Sequence, residues 1–282
     1  MPTTPFVTAD WLHARLGAPD IVILDGSWYL PAQGRDGRAE YLAGHIPGAI
    51  RFDIDTMSDE TAALPHMLPR PEVFASRMRA LGIGDGAHIV VYDGMGLFSA
   101  PRVRWMLQTY GLRDVEILEG GLPAWVAAGY PLEDGEGRPR ARRHFTARLD
   151  HGAVADASDI ARALETGSAQ VVDARSGARF RGEEAEPRPG VRPGHMPGAR
   201  NVHYAALQSG GRLKDEAALR AVFAENGVDV GKPVVTTCGS GVTAAIVGLA
   251  LETLGRPPRA LYDGSWSEWG SDPARPVATG PA

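Results

Sequence analysis

Cysteine is almost absent from this chain. Cys238 stands alone among 282 residues, which excludes an internal disulfide framework and any metal site built from clustered cysteines. Long apolar runs are missing as well, and none approaches the roughly twenty residues of a membrane-spanning helix. The opening residues, Met1-Pro2-Thr3-Thr4-Pro5-Phe6, have neither the basic stretch nor the apolar core of a secretory leader. Charge of one sign is not in excess: the net charge is −5 and the pI about 5.9, which gives no footing for nucleic acid or an anionic membrane surface. A P-loop is lacking, and so is the G-x-S-x-G elbow of serine hydrolases. Gly82-Ile83-Gly84-Asp85-Gly86 has the glycines of a dinucleotide loop but precedes a strand instead of following one. What remains is an ordinary globular composition, 44% hydrophobic and 22% charged, in a length that suits two domains. A lone free thiol fits a reducing cytoplasm.

The surroundings of Cys238 set it apart from a buried, inert cysteine. A β-branched run from Pro233 to Thr237 predicts a buried strand ahead of it. Val242 to Leu254 is apolar and Ala-rich, and predicts a helix ended by Gly255 and Pro257. Between them lies Cys238-Gly239-Ser240-Gly241, a loop whose alternate glycines let the backbone curl and aim its N–H groups inward. Those donors, with the positive end of the following helix, favour the thiolate.

The chain also repeats itself. Gly44-His45-Ile46-Pro47-Gly48-Ala49 returns as Gly194-His195-Met196-Pro197-Gly198-Ala199, each after a predicted strand, Ile21–Asp25 and Gln170–Asp173. The segment Ile89 to Ala100 occupies the place of the Cys238 loop, and with Gly96 matched to Gly241, Asp93 falls on Cys238. Gly120-Gly121-Leu122-Pro123-Ala124-Trp125 matches Gly264-Ser265-Trp266-Ser267-Glu268-Trp269. A duplicated module with a polar, Gly- and Arg-bearing connection predicts domains at 1–132 and 153–282 joined by a linker, 133–152. The basic run Arg138, Arg140, Arg142 and Arg143 reads as a solvated linker face. Alternating short apolar runs and helical patterns predict an α/β fold with mostly parallel sheets, whose sites lie at the carboxyl ends of strands. Only the second module has a nucleophile there, so the first is expected to be a non-catalytic scaffold. His45 and His195 recur in both modules and are therefore expected to be structural. Trp266 and Trp269 are expected in the core or a cleft wall.

The duplicated module, the two G-H-x-P-G-A segments and the Cys-Gly-Ser-Gly-Val-Thr-Ala loop together resemble the tandem rhodanese-type sulfurtransferases over nearly the whole chain. Within that family, enzymes using thiosulfate usually carry Arg and Lys after the cysteine, and those using 3-mercaptopyruvate carry Gly and Ser. Gly239 and Ser240 resemble the mercaptopyruvate branch. The resemblance implies that Cys238 becomes a persulfide and that Arg179 and Arg188 bind the substrate carboxylate. It also implies that Ser240, His66 and Asp55 form a set assisting proton transfer, and that Gly239, Gly241, Val242 and Thr243 line the substrate. No cofactor and no metal is implied. The implied partners are a small-molecule sulfur donor and an acceptor, either a thiol such as thioredoxin or glutathione, or cyanide.

The chemistry agrees on its own terms. A thiolate attacking the sulfur of mercaptopyruvate expels pyruvate as its enolate, and an arginine fork suits the carboxylate. Three rival readings stand beside it. A thiosulfate-using enzyme would gain from cationic residues in the loop, which are absent. A cysteine phosphatase of the dual-specificity type needs an arginine after five intervening residues, and position 244 is alanine. A non-catalytic persulfide carrier would need neither Ser240 nor the arginines.

Overall fold

The computed structural model describes residues 4–137 and 140–282; Met1 to Thr3 and, from the basic run, Arg138 with Pro139 lie outside the described residues. The chain divides into two compact units. The first comprises residues 1–60, 68–150 and 210–212, and the second 61–67, 151–209 and 213–282.

The first unit is built on a five-stranded sheet, β1 (Phe6–Val7), β2 (Ile21–Asp25), β3 (Ile50–Arg51), β4 (His88–Tyr92) and β5 (Val115–Leu118), in the order β1-β5-β4-β2-β3. Every pairing is parallel. The central strands β2 and β4 are Ile- and Val-rich and almost wholly buried, as a sheet covered on both faces requires. Thr8 caps the first helix, Ala9–His13, accepting from the Trp11 N–H. The next four residues are turn, closing on Gly17 at φ 79°, a conformation that suits glycine and interrupts the helix.

The second unit repeats the plan with β6 (Val154–Ala155), β7 (Gln170–Asp173), β8 (Arg200–Asn201), a small pair β9 (Gln208–Ser209) and β10 (Arg212–Leu213), then β11 (Val234–Thr237) and β12 (Ala260–Tyr262). The five-stranded sheet runs β6-β12-β11-β7-β8, again parallel throughout. Strand β11 pairs with β7 so that Thr237 lies opposite Asp173. The chain leaves β7 toward β8 on one side, and β11 returns on the other. The carboxyl ends of β7 and β11 therefore flank a topological switch point, where open α/β sheets open a crevice. The helix after β11, Ala244–Thr253, is buried along one continuous stretch from Ala244 to Leu251, which explains its lack of a polar face. It starts two residues later than predicted, because Val242 and Thr243 form the turn that enters it.

Each unit has its own core. One gathers Leu12, Ile23, Tyr41, Ile46, Val90, Tyr92 and Trp125; the other gathers Ile160, Val171, Phe180, Met196, Tyr262, Trp266 and Trp269. Full burial of one such side chain contributes about 1.5–3 kcal/mol. The indoles of Trp125 and Trp269 donate to the carbonyls of Pro131 and Pro276 at 2.8 Å, and Trp266 to that of Arg192 at 2.9 Å, so no indole N–H is stranded. The duplicated histidines belong to these cores. His45 stacks on Tyr41 and its Nδ1 is 2.8 Å from the Tyr41 carbonyl. His195 stacks on Phe180 with Nδ1 2.8 Å from the Phe180 carbonyl. Both are buried and pair their backbones with Glu133 and Ala278 respectively. Their work is structural, which is why the module without a cysteine keeps one.

The stretch expected as a linker does not float. Phe145 is buried, its carbonyl accepts from the Arg79 guanidinium at 2.8 and 3.1 Å, and the N–H groups of Arg148 and Asp150 donate to Tyr110 and Thr109. Residues as far as Asp150 belong to the first unit. The basic residues within it, Arg140, Arg142 and Arg143, flank this docked strap.

Candidate active site

Cys238 follows β11 at the switch point of the second unit and is 2% exposed. Gly241, three residues on, has φ 81°, the left-handed conformation that curls the loop. The loop is tied from outside by the turn after β12. The Cys238 carbonyl accepts from the Trp266 N–H at 2.9 Å, and the Gly239 carbonyl from the Ser267 N–H at 3.0 Å and its Oγ at 2.5 Å. A trans peptide holds its C=O and N–H on opposite sides. With both carbonyls drawn outward, the N–H groups of Gly239 and Ser240 turn toward the inside of the loop.

The first unit shows what this loop does to an anion. Asp93, at the Cys238 position, is 1% exposed. Its Oδ1 accepts from Met95 N–H at 2.9 Å, and its Oδ2 from Phe98, Ser99 and Ala100 N–H at 2.7, 2.9 and 2.9 Å. Gly96 has φ 98°, within 20° of Gly241, and the Asp93 carbonyl accepts from the Leu122 N–H as that of Cys238 does from Trp266. In the first unit a carboxylate thus fills the nest that the loop's N–H groups make.

Around Cys238 the charged groups are ordered by one buried carboxylate. Glu186, 4% exposed, takes Arg175 Nη1 at 2.6 Å and Arg179 through Nε at 3.2 Å and a shorter Nη2 contact. Arg175 is itself buried, forked onto Asp173 at 2.6 and 2.9 Å, bonded to the Gly194 carbonyl at 2.8 Å and stacked 4.4 Å over Trp266. Burial works against the Arg175 charge, but Asp173 and Glu186 more than offset it and hold the guanidinium protonated more firmly than usual. Arg179 starts from the short helix Gly177–Arg181. Its Nη2 stands 3.2 Å from where a Cβ on Gly239 would be. Arg179 and the loop are therefore in direct apposition, and a side chain at position 239 would push the guanidinium away. Arg188 sits two residues past Glu186, half-buried, its carbonyl accepting from Val191 N–H.

Ser240 is buried, with its Oγ 2.9 Å from Nδ1 of His66. His66 lies in the segment 61–67 that belongs to the second unit. It is 6% exposed with φ 61°, a strained backbone for a residue with a side chain, of the kind that collects at functional sites. Asp55 lies in the first unit, exposed on the short helix Ile54–Met57, where its carboxylate accepts from the Trp28 indole at 3.1 Å. Val242 and Gly241 are buried and Thr243 half-buried at the loop's exit. One cluster among the described residues has metal-ligand spacing, His88 with Asp114 and Glu116. It lies in the first unit at the amino-terminal ends of β4 and β5, on the side away from strand carboxyl ends.

Rhodanese-like domains match residues 8–128 and 156–272, one in each unit. The chain belongs to the rhodanese-like family. It is 49% identical over 283 residues to a 3-mercaptopyruvate sulfurtransferase of Escherichia coli, covering 98% of this chain and 99% of that protein. It is 46% identical over 270 residues to the 3-mercaptopyruvate sulfurtransferase of Homo sapiens, covering 93% and 91%. The crystal structure of SseA from Escherichia coli, described as a 3-mercaptopyruvate sulfotransferase with the rhodanese fold, superimposes with a TM-score of 0.86 at 47% identity, covering 94% of this chain and 99% of that one.

Two features of this rhodanese-like site escaped the sequence reading. Glu186 was not singled out there, though it stands two residues before Arg188 and seven after Arg179. Ser265 and Ser267 were aligned with Gly121 and Pro123 of the first module, and that exchange of residue types in a matched segment was the clue to their contacts.

Proposed function

We propose that this chain moves the sulfur of 3-mercaptopyruvate to a thiol or to cyanide through a persulfide on Cys238. The observation that carries the donor choice is the pair Ser240 Oγ and His66 Nδ1, 2.9 Å apart and buried beside the cysteine. A neutral hydroxyl backed by an imidazole suits delivery of one proton to a leaving enolate. It does not suit a thiosulfate dianion, which would need cations in the loop.

The steps follow from the groups present. Arg179, oriented by Glu186, and Arg188 take the substrate carboxylate. The Cys238 thiolate attacks the substrate sulfur, the S–S bond forms, and the C–S bond breaks with its electron pair passing to carbon. The resulting pyruvate enolate takes a proton from Ser240, which His66 replenishes. Asp55 is assigned to support that set. The N–H groups of the loop, including those of Gly241, Val242 and Thr243, hold the negative outer sulfur, much as an oxyanion hole holds developing charge. An acceptor thiolate, such as that of thioredoxin or glutathione, or cyanide, then attacks the outer sulfur and restores Cys238. The first unit, 1–132 in the sequence reading, serves as the non-catalytic partner of a catalytic unit from 153 onward. No described helix is long and apolar enough to cross a membrane, and a cytoplasmic setting suits the free thiol.

Intact mass after incubation with either donor, without acceptor, tests the reading. One added sulfur from mercaptopyruvate, lost on adding cyanide and never gained by Cys238→Ser, is expected. Loading from thiosulfate alone would reverse the donor assignment, and loading from neither would refute the enzyme.

A further inference from the structure

The two copies of the module differ at the turn that follows the last strand of each repeat, β5 and β12. Gly121 and Ser265 occupy matched positions, and both have left-handed backbones, φ 54° and 51°. Glycine adopts that conformation without strain; serine does not. The first copy uses the residue that turns freely, and a Cβ there would also meet the Asp93 carbonyl at 2.4 Å; the copy with the cysteine uses the strained one. Ser265 is fully buried. Its Oγ donates to the Tyr262 carbonyl at 2.8 Å and accepts from the Cys238 N–H at 3.4 Å. Two positions on, the first copy has Pro123, which has no N–H to give. The second has Ser267, 4% exposed, which gives both its N–H and its Oγ to the Gly239 carbonyl.

We propose that Ser265 and Ser267 are positioning residues that clamp the backbone of Cys238 and Gly239 from outside the loop, so that its N–H groups stay aimed at the sulfur during transfer. Ser265 fixes the N–H of the nucleophile itself, Trp266 its carbonyl, and Ser267 the next carbonyl. Neither serine is placed on the substrate, so the clamp acts on the rate of the chemical step and leaves donor binding alone. The inference rests on the persulfide route proposed above. Strain kept at a site where the sister copy avoids it marks a residue retained for something other than the fold.

Paired substitutions at Ser265 separate the two roles. Ser265→Ala removes the hydroxyl and keeps the strained backbone; Ser265→Gly removes the hydroxyl and relieves it. The clamp requires both to lose about fivefold in kcat for sulfur transfer from 3-mercaptopyruvate at unchanged KM, the factor that about 1 kcal/mol makes. The Gly variant should nevertheless melt at a higher temperature than the Ala variant. Ser267→Ala should show the same loss in kcat. If kcat follows melting temperature and returns in Ser265→Gly, the hydroxyl is not the agent and the proposal fails. It fails equally if KM moves instead of kcat, or if none of the three variants loses rate. Wild-type protein that takes no sulfur from mercaptopyruvate would instead refute the proposed function.

Discussion

Replacing Asp93 tests the anion cradle in the copy that carries no chemistry. Its carboxylate is buried and receives four backbone N–H bonds of 2.7–2.9 Å, three of them on one oxygen. A hydrogen bond to a charged group contributes about 1.5–3 kcal/mol net, and a carboxylate at the start of the helix Ala100–Thr109 gains from its dipole. Four bonds share one charge, and water entering the space left by alanine would recover part of the loss. Asp93→Ala should therefore cost about 4 kcal/mol, well short of the sum. Asp93→Asn keeps the shape. Its oxygen can still face Phe98, Ser99 and Ala100, but its NH₂ then meets the Met95 N–H donor to donor, so about 2 kcal/mol is expected. Urea unfolding followed by circular dichroism measures both, with the earliest transition read as that of the first unit. In calorimetry the alanine variant should lower that transition by roughly 8–16 °C, at about 2–4 °C per kcal/mol for a unit of this size. An alanine variant within 1 kcal/mol of wild type would refute the cradle, and with it the argument that the matching loop holds a persulfide.

Other expectations follow from the site. Ser240→Ala and His66→Ala should each lower kcat about a hundredfold with mercaptopyruvate, and the double variant should lose hardly more than either, since the two act as a unit; additive losses would separate them. Glu186→Gln removes the anchor of Arg179, so KM for mercaptopyruvate should rise several-fold with kcat within about twofold; steady-state kinetics showing the opposite split would detach Glu186 from substrate binding. Asp25, buried at the end of β2, is held above its ordinary value by desolvation, which outweighs the opposing bonds from Ser27 and the charge of Arg51. Folding thus takes up a proton there. The stabilising contribution is complete below the ordinary aspartate value and is lost as pH rises through the folded value. The stability of wild type relative to Asp25→Asn should accordingly fall as pH rises above the ordinary aspartate value, and a difference that grows with pH would overturn the assignment.

The repeat, the central strands and the cysteine loop were legible in the sequence because each is written in local residue type. The β-branched runs at Ile21–Asp25 and Val234–Thr237 are long enough to declare buried strands. The two-residue edge strands β1, β3, β6 and β8 are not, since Phe6–Val7 or Arg200–Asn201 becomes a strand only by pairing with a neighbour already in place. The docking of the linker on the first unit was hidden for a related reason: the apolar anchor, Phe145, is one residue in a polar and mostly exposed stretch, and its carbonyl partner Arg79 is 66 positions away. Asp93 shows a third limit. In sequence it marks only the lack of a nucleophile, and the four donors around it come from the loop's course through space.

The two copies suggest why the catalytic loop is built as it is. A strand-to-helix loop that turns several N–H groups inward is unsatisfied unless something negative sits among them. The first copy solves this permanently with Asp93, and its outer turn keeps one tie, the Leu122 N–H on the Asp93 carbonyl at 3.0 Å, while Gly121 and Pro123 supply no side-chain hydroxyl. On the proposed route the inside of the second copy must accept and release a sulfur at every turnover, so a fixed internal anion would end the activity. The loop must hold its shape whether the cysteine bears one sulfur or two. Support has to come from the other side of the peptide planes, where Trp266, Ser267 and Ser265 reach the carbonyls and the N–H of residues 238 and 239. Acquiring activity in such a module therefore demands more than exchanging aspartate for cysteine. A first-unit loop given Asp93→Cys alone would lose its internal anchor and keep only the Leu122 N–H outside, without the hydroxyls that Ser265 and Ser267 supply, and it should be both less stable than wild type and unable to carry sulfur.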